Sequence, residues 1–118
     1  MAGRRLPGMD VRVRRGHRED IPALQHLLGA AAAGLGPRLL RRLVDDVASD
    51  LFVAVDAVGG LLGVLAIGYT RALAQGGQVA IVDTLVAQDG PLGLLTGMVA
   101  FAETRARQRS CRELVVRG

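Results

Sequence analysis

One stretch of this 118-residue chain has residue types and spacing that could do chemistry: Asp83-Thr84-Leu85-Val86-Ala87-Gln88-Asp89-Gly90, followed by Gly93 and Gly97. A glycine-bearing turn from a strand into a helix can hold a phosphate, because its backbone N–H groups point outward and the helix dipole favours an anion there. Such a turn is more often plain chain punctuation. Asp83 stands on the strand before the turn. A strand-end carboxylate there can simply pair with an arginine. Other chemistries have less behind them. Ser49 and Ser110 lack the surroundings of a nucleophile elbow. Cys111 has Arg109 and Arg112 beside it, which would lower its pKa, but at the start of a strand it reads as a small buried hydrophobe. It is the only cysteine, so no internal disulfide forms. His17 and His26 are too few and too ill-placed to complete a zinc site with it, and no acidic cluster has metal spacing, so no metal is expected.

The wider composition excludes further classes. All 15 basic side chains are arginine, which removes Schiff-base and Walker-type lysine chemistry. Most of them fall within residues 4–18, 38–42 and 105–117, and the net charge is +4. That balance favours anionic partners such as a phosphorylated cofactor, nucleic acid or an anionic membrane, and it equally describes solvated helix faces. Phe52, Tyr69 and Phe101 are the only aromatics, too few for a base-stacking platform. The charged N-terminus has no apolar signal core after it, and the apolar run 27–35 is Gly-rich and too short to span a bilayer. A cytoplasmic protein is expected, with no membrane partner.

The elements that must position these residues follow from periodicity. Residues 11–14 alternate as a half-buried strand, and Asp20-Ile21-Pro22 reads as a helix start with Leu24, Leu27 and Leu28 on its apolar stripe. Residues 29–36 are a small-residue loop. Pro37 opens a second helix with Leu39, Leu40, Leu43, Val44 and Val47 inward. Strands are expected over 51–55 and 61–69, joined at Gly59-Gly60, with Gly63 and Gly68 marking a bulge or a close backbone approach. A third segment spans 78–87, a long helix 94–109, and a last strand 113–116. The order is β-α-α-β-β-β-α-β, one α/β domain with a mixed sheet and a parallel last pair. Residues 1–9 are expected as a flexible arm, with Met9 an alternative start and the domain covering 10–118.

Element order and wording resemble the GNAT N-acetyltransferase superfamily over about residues 10–116. VRVRRGHREDIPALQHLL looks like its first strand and helix, and LFVAVDAVGGLLGVLAIGY like its β-hairpin. VDTLVA looks like its fourth strand, and FAETRARQRSCRELVV like the tail of its third helix and its fifth strand. The resemblance implies a single-domain GNAT-like fold, cut short after that fifth strand, and an acetyl transfer from acetyl-CoA to a small amine or a protein N-terminus. Backbone groups of Leu85, Val86 and Ala87 would then pair with the pantetheine arm. The turn with Gly93, Leu95 and Gly97 would hold the pyrophosphate, and Asp83 would be the base.

The family's cofactor signature, Arg/Gln-x-x-Gly-x-Gly/Ala, is incomplete. One register reads Leu92-Gly93-Leu94-Leu95-Thr96-Gly97, the other Gly90-Pro91-Leu92-Gly93-Leu94-Leu95, and neither supplies the arginine or glutamine. Leucine where glycine normally stands would crowd a pyrophosphate. The family's later helix and strands do not follow Gly118. An open last strand would be remedied by homodimerisation. Three functions therefore stand: a GNAT-like N-acetyltransferase of normal, weakened or lost activity; a non-catalytic dimerisation or acyl-CoA-binding module; and, with only the arginine count behind it, a nucleic-acid-binding protein.

Overall fold

The computed structural model describes residues 3–29, 36–46, 48–72, 76–88 and 90–116. Expectations for the loop at 30–35, for Val47 and for Asp89 lie outside the described residues. The elements are β1 (Arg4–Arg5), β2 (Arg12–Arg15), a 3-10 turn (Arg18–Asp20), α1 (Ile21–Leu28), α2 (Pro37–Asp45), β3 (Ser49–Val55), β4 (Leu61–Ala72), β5 (Gly77–Ala87), α3 (Leu94–Gln108) and β6 (Cys111–Val116). They form one six-stranded sheet in sequential order, antiparallel except for the β5–β6 pair. That is the mixed α/β sheet expected, with β1 added.

Each face of the sheet has its own core, because β3, β4 and β5 alternate apolar side chains to both sides. On one face Phe52, Ala54, Leu65, Ile67 and Val82 pack against Leu94, Met98, Ala102 and Ala106 of α3. On the other Leu51, Val53, Val55 and Val64 pack with Leu24 of α1. Gly63 is a close approach, as expected: a Cβ there would lie 3.0 Å from Met98 Sδ and from the Val86 carbonyl oxygen. Gly68 is not one, since a Cβ there would meet nothing within 4 Å.

The N-terminal segment needs correction. Residues 4–9 are not an unpacked arm. Arg4 and Arg5 pair with Val13 and Arg12, the Leu6 N–H donates to the Val11 carbonyl at 2.9 Å, and Leu6 is 2 % exposed in the α3-side core. The exposed arginines gave the segment a polar reading. Leu6 and Met9 are its apolar anchors, and they fill the space left by Gly97, where a Cβ would lie 3.2 Å from Leu6 Cδ1.

Two ion-pair groups tie the sheet to its helices. Asp20 takes a bidentate pair from Arg14 at 2.8 and 2.9 Å and accepts the His17 N–H at 2.7 Å. Burial pushes its carboxyl up, but the Arg14 and His17 hydrogen bonds outweigh burial and hold it below the usual range. The arginine and aspartate thus lock β2 to the start of α1.

Candidate functional site

The site is built around an irregularity in β5. On its β4 side Ala66 faces Thr84 and Ile67 faces Val82, so Asp83 is an extra residue with no partner. A β-bulge of this kind bends the strand and re-aims its side chains. On its other side β5 pairs with β6 only as far as Val82 opposite Val116. Among the described residues, the outer backbone edge of residues 83–87 therefore keeps its N–H and C=O groups unpaired. The bulge sets the two faces as well: Leu85 and Ala87 pack toward the α3-side core, while Val86 packs toward the α1 side.

Beneath α1 and α2 this edge opens onto an apolar cleft of about 520 Å³. Asp83, Thr84, Leu85, Val86 and Leu95 all line it, with Leu24, Leu40 and Val64 from the helices and sheet. Asp83 is exposed and is the only charged residue among those that line the cleft. The structure thus brings together four of the seven residues singled out from sequence.

The remaining three sit elsewhere or play other parts. Ala87 is partly buried against the α3-side core. Gly93 is the residue before α3 and adopts φ +86°, a left-handed conformation that favours glycine. Gly93 and Gly97 line a separate cleft of about 550 Å³ between α3 and the N-terminal segment. Leu94 is buried at 3 %, whereas Leu92 and Leu95 project outward at 101 % and 52 %. At the head of α3 the Leu94 N–H donates to Pro91 O at 3.1 Å and the Gly97 N–H to Gly93 O at 2.8 Å. The Leu95 and Thr96 N–H groups lie in the first turn, where a helix has no internal acceptor for them.

Acetyl-CoA, the group the resemblance implies, fits these residues unevenly. The unpaired edge at 83–87 offers alternating donors and acceptors suited to an amide-bearing arm. The turn at 88–97 (QDGPLGLLTG) carries no cation of its own, so a pyrophosphate there would meet N–H groups and the helix dipole, with Arg4 and Arg5 across the cleft that Gly93 and Gly97 line. No group of three or more potential metal ligands occurs among the described residues.

A second polar cluster lies on the opposite face, and sequence reading missed it. Asp50, 2 % exposed in β3, accepts from Arg15 at 2.7 Å, Arg105 Nε at 2.8 Å and the Tyr69 hydroxyl at 2.5 Å. Burial disfavours its charge, but hydrogen bonds from Arg105, Tyr69 and Arg15 prevail and lower its pKa to about 2. Burial and Asp50 together push the Tyr69 phenol well above its usual range. Arg15 and Arg105 also lie over the Phe52 ring, at 5.3 and 5.8 Å from its centroid. The available signal was one aspartate in the otherwise apolar run SDLFVAV. Cys111 is partly buried, and burial raises its thiol pKa against a smaller opposing effect of Arg109.

No family model and no curated protein matches the sequence. Solved structures do match the fold. A ribosomal-protein-alanine N-acetyltransferase from Brucella melitensis biovar Abortus 2308 superposes with a TM-score of 0.76 at 19% identity, over 92% of this chain and 79% of that one. A glucosamine-6-phosphate N-acetyltransferase from Arabidopsis thaliana gives 0.78 at 12% identity, over 93% and 83%. A GNAT family acetyltransferase from Staphylococcus aureus gives 0.77 at 12%, over 93% and 87%. The chain has the GNAT acetyltransferase fold.

Proposed function

We propose that this chain is an N-acetyltransferase of the GNAT superfamily, and that the apolar cleft receives the primary amine. The observation that carries the reading is the bulge. It takes Asp83 out of the β4–β5 ladder and sets it in the cleft lining, beside an unpaired strand edge. Acetyl-CoA, when bound, supplies an activated acetyl thioester. The edge at 83–87 holds and orients the pantetheine arm, with Leu85, Val86 and Ala87 as its backbone partners. The first turn of α3, with Gly93, Leu95 and Gly97, takes the phosphates. Asp83 accepts the proton that an ammonium must lose before its nitrogen can attack a carbonyl carbon. The reading carries with it a cytoplasmic protein and a homodimer that covers the outer edge of β6, which has no neighbouring strand among the described residues. A monomer in light scattering at working concentration would remove the dimer.

The test pairs calorimetric titration with acetyl-CoA and thiol release over a panel of amines. Asp83→Asn should lower turnover by about 10²–10⁴-fold while leaving cofactor affinity within about twofold. Full turnover in that variant would show that Asp83 is not the base. One observation favours a second reading, an acyl-CoA-binding module without turnover: the cation-free turn at 88–97. Saturable binding with no thiol release for any amine would select it. Nucleic-acid binding has less support, because Arg14, Arg15, Arg18 and Arg105 are committed to aspartates.

A further inference from the structure

The walls of the cleft say more about the amine than the fold does. Among the described residues five large hydrophobic side chains are exposed, and three of them, Leu43, Leu95 and Val116, line this one cleft. Exposed apolar side chains scattered singly need no explanation, but a set converging on one concavity marks a binding surface. Apart from Asp83 and Thr84, the lining is wholly aliphatic or alanine. Among the described residues no arginine lines the cleft. All three aromatic rings pack on the α3 side of the sheet, away from it.

Each feature removes a class of amine. Without a cation, a phosphate or carboxylate on the substrate finds no counter-charge and is repelled by Asp83. Without aromatic rings, no platform exists for a sugar or heteroaromatic ring. With Thr84 the only neutral polar side chain in the lining, and the backbone edge at 83–87 given to the pantetheine arm, a polyhydroxylated amine would bury hydroxyls without partners, which is costly. A cationic head beside Asp83 and an aliphatic tail along Leu24, Leu40, Leu43 and Val64 satisfy every wall. At about 520 Å³ the space lies within the usual range for small-molecule sites, far beyond what an acetyl group fills.

We infer that the cleft selects an apolar alkyl primary amine, its ammonium at Asp83 and its chain against the α1–α2 leucines. This rests on the acetyltransferase reading for turnover, but not for binding. The test is a series of n-alkylamines from butyl to decyl, assayed by thiol release with acetyl-CoA. In parallel, n-octylamine is titrated into the protein and followed by methyl NMR of Leu43, Leu85 and Leu95. kcat/KM should rise about fourfold per added methylene until the cleft is full. Octylamine should bind saturably, octanoate should not, and a polyamine, an amino sugar and an amino-sugar phosphate should be poor substrates. Leu43→Arg, at a position 38 % exposed and so tolerant of folding, should weaken octylamine at least about tenfold without changing the thermal melt.

The outcomes separate the two readings. Turnover of hydrophilic amines with a flat alkyl series overturns the apolar-amine inference and leaves the acetyltransferase standing. Saturable octylamine binding with no turnover of any amine supports the inference and removes the acetyltransferase. A chain-length dependence on the acyl-CoA instead of the amine assigns the cleft to an acyl tail and overturns the inference. So does the absence of octylamine binding at millimolar concentration.

Discussion

Replacing Asp50 by asparagine tests whether the ionic cluster under α3 holds the helix to the sheet. The Asp50 side chain is 1 % exposed, while its partners Arg15 and Arg105 keep 43 % and 26 % of their surface in water. The substitution leaves two guanidinium groups stacked on Phe52 without a counter-charge. Removing one partner of a buried pair costs about 3–5 kcal/mol, and the partial hydration of the arginines places this case near about 3 kcal/mol. With an unfolding entropy of about 2.1 cal/mol/K per residue, Tm should fall by about 12 °C. The effect must also depend on pH. The folded pKa, about 2, lies below the unfolded 3.8. The ionised carboxylate therefore contributes stability that is fully present above the unfolded value and lost as pH falls toward 2. That share is about 2 kcal/mol. Urea unfolding of both proteins from neutral pH down to about pH 3 is the assay. The gap between them should stay constant above about pH 5 and narrow steadily below it. A Tm change under about 3 °C, or a gap that ignores pH, would refute the reasoning.

Three further outcomes follow from the same geometry. Leu6→Ala should cost about 2–4 kcal/mol in guanidinium unfolding, and a chain started at Met9 should lose at least as much, since Leu6 is 2 % exposed in the core. Gly93→Ala, at φ +86°, should cost about 1–2 kcal/mol; an unchanged Tm would mean the turn before α3 adopts another conformation. Cys111 should react with a disulfide reagent at neutral pH several-fold more slowly than free cysteine, and speed up with rising pH, because burial raises its pKa. A rate equal to that of free cysteine would show the thiol to be neither buried nor shifted.

Local pattern in the sequence determined most of the elements. The alternation in β2, the paired glycines before β4 and the proline starts of α1 and α2 are written into neighbouring residues, and the structure follows them. Boundaries moved by a few residues, as with β4, which runs to Ala72, because cross-strand pairing extends a strand beyond its own apolar residues. The fold was legible too, since element order restricts a single mixed sheet to few topologies. Other features depended on residues far apart in the chain. Leu6 looked like part of a polar arm until α3, some 90 residues on, supplied the gap beside Gly97 that it fills. Asp50 drew no reading from the sequence, because its partners Arg15, Tyr69 and Arg105 come from three other elements.

Asp83 belongs to both accounts. Its acidic type and its place before a glycine turn were visible from the start. Its exposure in the cleft was not, because the bulge that leaves it unpaired is a mismatch of count between β4 and β5. The apolar character of that cleft is likewise tertiary. The sequence by itself determined that many leucines and valines exist and at what period. Only the packing of α1 and α2 over the sheet decided which of them would be left facing an empty space, because burial is set by what covers a residue and not by the residue itself.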